Sequence, residues 1–73
     1  MSLTKAQRRT FETIVSFIEE NSFPPSIREI QVEAGLASPS TVKYHLLHLK
    51  EKGLITYEPK KSRTVRILKS PDE

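Results

Sequence analysis

The sequence predicts a single mainly α (α+β) domain, three helices closed by a carboxyl-terminal two-stranded β-hairpin, on three observations. Two Ser/Thr-x-x-Glu/Gln boxes and a Ser-Pro pair open helical segments at Thr4, Ser26 and Ser38. Apolar residues behind each opening recur every three or four positions, the spacing that gives a helix one buried face. After Gly53 the period drops to two, as in strands. A chain of 73 residues holds one domain, with an ordered part over about 3–68 and a tail over 69–73. Only 36% of it is apolar, so those residues must gather in one centre if the chain is to fold alone.

The first segment begins at "TKAQ", where Thr4 and Gln7 can cap each other's backbone amides. Phe11, Ile14, Val15 and Ile18 then commit one face to a core, with Phe17 beside it. "NSFPPS" ends the helix, because each proline removes a donor and restricts its predecessor. Ser26 with Glu29 opens a second helix of about nine residues, with Ile27, Ile30 and Ala34 on one face and Gly35 as a left-handed stop. Leu36, Ala37 and Ser38 form the turn into the third helix, which has Ser38 as N-cap and Pro39 at its first position, where a missing amide costs nothing. Val42, Leu46 and Leu49 face inward, Gly53 ends the helix, and Lys50 and Lys52 suit the negative end of its dipole. "LITYE" and "TVRIL" follow as strands joined by "PKKSR", with Ile55, Tyr57, Val65 and Ile67 on one face and Arg66 on the other. A lone hairpin is marginal in water, so it must lean on the helices.

Composition removes several function classes. There is no cysteine, which excludes disulfides, thiolate metal sites and a thiol nucleophile. No run approaches the roughly 18 apolar residues of a membrane span, and a cytoplasmic location is expected. His45 and His48 lack a third ligand, so no metal or other cofactor is expected. His45 falls near the inward stripe as a packed or capping residue, and His48 faces outward. The two glycines, Gly35 and Gly53, make no phosphate loop, and so small a domain leaves little room for an enclosed catalytic site. Charge is uneven: residues 1–37 carry four basic and five acidic groups, residues 38–73 eight basic and four acidic. A basic second half fits a polyanionic partner, chiefly nucleic acid, although a solvated lysine surface would give the same balance.

Two helices joined by a short turn, the second polar near its start, make a helix-turn-helix, and the hairpin beside it makes a winged one. With a helical turn of about 100° per residue, Ser40, Thr41, Tyr44, His48 and Glu51 point away from the apolar stripe, with Lys43 and Leu47 on the flank. Hydroxyls, a tyrosine ring and a lysine at the amino end of a helix suit phosphates and base edges. Lys60, Lys61 and Arg63 at the hairpin tip are placed for a DNA backbone or minor groove, and Arg28 for the backbone on the other flank. The alternative is a winged-helix module that binds protein, for which Leu47 is the one suited residue.

"LTKAQRRTFETIVSFIEENSFPPSIREI", "GLASPSTVKYHLLHLKEKGLI" and "TVRIL" together resemble the amino-terminal domain of the LexA repressors, from Leu3 to about Leu68. The resemblance implies sequence-specific binding of double-stranded DNA, a repressor of the SOS response to DNA damage, and a third helix lying in the major groove of a palindromic operator. By position it places base reading at Ser38, Ser40, Thr41, Lys43 and Tyr44, and backbone contact on the wing. It also implies a homodimer in the full-length protein and a monomeric isolated domain. The family's self-cleaving carboxyl-terminal half is not matched, so no enzyme is expected. Gln31 stands where the family usually has a small residue, which implies a tilted packing or a side chain that escapes to the edge. Lys43 and Tyr44 also differ from the family's commonest residues.

Overall fold

The computed structural model of the chain describes residues 3–71, so that Asp72 and Glu73 of the expected tail lie outside the described residues. α1 spans Lys5–Asn21. The Thr4 hydroxyl accepts the Gln7 amide at 3.1 Å and the Gln7 side chain accepts the Thr4 amide at 3.2 Å, so both orphan donors are satisfied at once. The helix ends on Ser22 in the left-handed region (φ 65°), whose amide donates to the Ile18 carbonyl. The stop thus falls within NSFPPS: the left-handed Ser22 turns the chain, and Pro24 and Pro25 follow where a helix cannot continue. The buried face differs in detail. Phe17 is buried while Val15 and Ile18 are half-buried, and Gln7 and Thr10 join the inner side.

α2 spans Ile27–Ala34, with the Ser26–Glu29 box formed in both directions at 2.8 and 3.2 Å. Gly35 (φ 70°) turns the chain, and the Leu36 amide returns to the Gln31 carbonyl at 2.9 Å, which satisfies helix-end acceptors. Gln31 itself is half-buried, at the margin of the core. α3 spans Pro39–Glu51 and starts on the Ser38 cap. Val42, Leu46 and Leu49 are fully buried with Ile14 and Ile30, and Leu54, Ile55 and Val65 close the core from below. Leu54 was not foreseen as a core residue, since it lies where the period changes.

β1 (Ile55–Thr56) and β2 (Arg66–Ile67) pair antiparallel with Ile55 opposite Ile67. The ladder is shorter than the sequence predicts. Beyond Thr56 the Glu58 amide is taken at 2.8 Å by the Thr64 hydroxyl rather than by a cross-strand carbonyl, and Arg63 adopts φ 57°. The wing is thus a short ladder carrying a long tip. The whole is a winged helix-turn-helix.

Gly35 tests the turn between α2 and α3. A Cβ there would meet nothing within 4 Å, so the left-handed backbone is the only penalty. Gly35→Ala should lower stability by about 1–2 kcal/mol, and Gly35→Asn by less, in urea denaturation followed by circular dichroism.

Candidate nucleic-acid interface

Burial of Val42, His45, Leu46 and Leu49 fixes which side of α3 meets solvent. Ser40, Lys43, Tyr44, Leu47, Lys50 and Glu51 are exposed, and Ser38, Thr41 and His48 are half-buried. Tyr44 is 59% and Leu47 48% exposed, large rings and methyls left in water on an otherwise polar face. Thr41 is less free than its position implies: its amide donates to the Ser38 hydroxyl, and the two hydroxyls lie 3.2 Å apart. Both serve the helix cap first. His48 lies against the edge of the Tyr44 ring, centroids 4.4 Å apart, so the two rings form one aromatic surface.

His45 is a core residue. Its Nδ1 lies 2.9 Å from the Thr10 hydroxyl, which is also 3.0 Å from the Ala6 carbonyl. A carbonyl can only accept, so with the hydroxyl proton directed to Ala6 the imidazole must carry its hydrogen on Nδ1 and donate it. Burial, then the nearby His48, hold the His45 pKa below its ordinary 6.5. No group of three or more metal-binding side chains occurs among the described residues.

The five basic side chains expected at the interface, Arg28, Lys43, Lys60, Lys61 and Arg63, fall into two groups. Arg28 at the start of α2, Lys43 on α3, and Lys60 and Lys61 at the wing tip line one open groove of about 420 Å³, together with Ser26 and Pro39. Residues from three elements, up to 33 positions apart in the chain, are therefore gathered around one space at the amino ends of α2 and α3. Arg63 is not in this set. The sequence groups it with the tip lysines, whereas its guanidinium turns away to Glu29, at 2.7 and 3.0 Å to the two carboxylate oxygens, and to the Pro24 carbonyl at 3.1 Å. It also lies over the Phe23 ring, 5.0 Å from the centroid. The bidentate partner and then the Ser26 amide hold the Glu29 carboxyl below its ordinary 4.5. Sequence reasoning missed Phe23, Pro24 and Glu29 as partners of the wing, since Glu29 already had a role in its capping box.

Residues 1–64 match the family described as the LexA DNA binding domain. The chain belongs to that family. It is 47% identical over its full length to the LexA repressor of Listeria welshimeri and to that of Listeria monocytogenes, covering 36% of each. Against the LexA repressor of Bacillus mycoides it is 47% identical over 66 residues, 90% of this chain and 32% of the relative. The chain thus spans about a third of the length of these LexA proteins. The LexA match does not favour a protein-binding module. No helix among the described residues is long and apolar enough to cross a membrane.

His45 gives a pH dependence with a definite sign. Its folded-state pKa is depressed, so above 6.5 neither state is protonated and stability is at its full value. As pH falls below 6.5 the unfolded chain takes a proton that the folded state refuses, and stability declines until the folded pKa is passed. Chemical denaturation between pH 7.5 and pH 5 should show this loss, and His45→Gln should reduce it. Glu29 contributes a separate loss that begins only below 4.5.

Proposed function

We propose that this chain is the DNA-binding part of a transcriptional repressor of LexA type, controlling DNA-damage-response genes through a double-stranded operator. The observation that carries the reading is the groove in which Arg28, Lys43, Lys60 and Lys61 meet beside the exposed face of α3. Cations from three elements around one space suit the closely spaced phosphates of a duplex strand. α3 is the element for the major groove: its exposed amino-terminal turns offer Ser40 and Tyr44 to base edges, and Lys43 to a base or phosphate. Tyr44 and Leu47 supply the apolar surface a thymine methyl would meet. Ser38 and Thr41 hold the start of the helix in shape, and any contact of theirs with DNA is made by atoms that also serve the cap. His48 packs edge-on with the Tyr44 ring.

Lys60 and Lys61 are the backbone contacts of the wing, with Arg28 on the opposite rim. Neither lysine has an ion-pair partner among the described residues. One recognition helix covers only half of a palindromic site, so the isolated domain binds as a weak monomer, and the intact LexA-type protein binds as a homodimer. The protein acts in the cytoplasm and needs no metal or other cofactor to bind.

Titration of variants against selected and scrambled duplexes tests both halves of this reading. Lys61→Ala should weaken binding equally on both duplexes and reduce the slope of log K against log[salt] by about 0.9, the value for one phosphate contact. Tyr44→Ala and Ser40→Ala should instead alter sequence preference, as measured by selection from a random pool. Equal losses on matched and scrambled duplexes would remove α3 from base reading.

A further inference from the structure

The root of the wing is anchored by the buried Ile55 and Val65, and its tip extends beyond that anchor. Its ladder is two residues per strand, and a two-stranded ribbon of that size is marginal in water. On the side facing α3 the tip does not pack flush: a cleft of about 320 Å³ separates Pro59, Lys61 and Ser62 from Leu46 and Leu47. Nearer the root Lys50 of α3 donates to the Tyr57 carbonyl at 3.3 Å, and at the tip Arg63, which also lines this cleft, reaches across to α2 and the segment before it. Its guanidinium closes a bidentate pair with Glu29, 34 positions earlier, donates to the Pro24 carbonyl, and lies on Phe23, which in turn meets Phe17 edge-on at 5.7 Å. Its backbone is held at φ 57°, a region a non-glycine residue occupies when its surroundings fix it.

We propose that Arg63 and Glu29 form a latch that sets where the wing tip stands, so that Arg63 is a positioning residue for DNA binding and not a phosphate contact. The inference rests on the DNA-binding reading above and adds to it the origin of the wing's geometry. The carboxylate that caps α2 is the same group that holds the wing. One Glu29 oxygen accepts from the Ser26 amide at 2.8 Å and from Arg63 at 2.7 Å, which ties the tip cations to the start of the helix that carries Arg28. Lys60 and Lys61 therefore meet the phosphate groove already positioned, and less order has to be imposed on binding. The thermal stability of the domain depends little on an exposed pair of this kind.

The two partners make the test sharp, because simple electrostatics and the latch predict opposite signs for Glu29. Glu29→Gln removes a negative charge from a DNA-facing domain, which by charge alone tightens binding. A glutamine still completes the capping box, so α2 keeps its start. With the latch, Glu29→Gln and Arg63→Gln each weaken binding by roughly threefold to tenfold, the scale of ordering one or two long side chains. The double variant is no weaker than either single one, and Glu29→Gln leaves the salt slope at the wild-type value. Fluorescence-anisotropy titration of a pool-selected duplex at several salt concentrations reads all three quantities, with Lys61→Ala as the phosphate-contact reference. Tighter binding by Glu29→Gln, or an Arg63→Gln slope reduced as far as that of Lys61→Ala, overturns the latch. A second measurement needs no DNA: amide exchange at residues 60–64 should accelerate in both variants while the core amides of α1 and α3 stay protected. Unchanged exchange there overturns the latch alone, whereas failure of the wild-type chain to bind any duplex at low salt overturns the DNA-binding reading and, with it, the role of the latch in binding.

Discussion

The seating of α3 is the constraint on which the other features rest. Val42, Leu46 and Leu49 are fully buried against Ile14 of α1 and Ile30 of α2, and each such side chain removed from water contributes about 1.5–3 kcal/mol. In a chain this short no second core can replace that one. Rotating α3 by one residue would carry Val42 and Leu49 to the rim of the core and turn either Leu46 or His45 out to solvent, according to the sense of rotation, so the packing fixes the helix's azimuth as well as its position. Lys43, Tyr44 and Leu47 are outside because Val42, Leu46 and Leu49 are inside. His45 refines the same constraint, since a buried imidazole must find a partner, and the Thr10 hydroxyl on α1 meets its Nδ1.

The caps translate that packing into a surface. Three helices begin on side-chain caps, and two of those starts, at Ser26 and Ser38, lie at the same end of the domain beside the wing tip. Helix starts carry a partial positive charge from unpaired amides, which adds to Arg28, Lys43, Lys60 and Lys61 around the groove. The turn at Gly35 permits this, because a left-handed residue reverses the chain within so few positions that α3 can begin beside α2's own start.

Much of this was legible in the sequence because it is local. The capping boxes at Thr4 and Ser26, the Ser38-Pro39 start, the stop at Gly35 and the stripe of Val42, Leu46 and Leu49 each depend on residues within four positions of one another, so a linear string displays them. What was not legible depends on contacts between distant segments. Thr10 and Gln7 look like surface residues of α1 until His45 and the cap draw them inward. The hairpin reads as two five-residue strands because alternation continues through Tyr57 and Val65, while the ladder stops at Thr56, where Thr64 captures the Glu58 amide. Phe17 and Phe23 likewise show no period that would pair them, yet they form the ledge on which Arg63 lies.

Arg63 shows why charge counting alone misreads such a domain. The sequence places Lys60, Lys61 and Arg63 within four residues, and they count as three equal cations at one tip. In the fold, Arg63 is neutralised by Glu29 from the acidic first half, and the cation that replaces it beside the tip lysines is Arg28, one position before Glu29. The first half therefore contributes one residue to the cationic groove and one to the hold on the wing, from adjacent positions in the first turn of α2. Adjacent helical residues point about 100° apart, so Arg28 and Glu29 necessarily serve different sides of the same helix start. The separation of an exposed cation, Arg28, from a carboxylate paired with the wing, Glu29, is thus a consequence of helical geometry acting on two neighbouring residues. The basic character of the second half measures only part of what the surface presents.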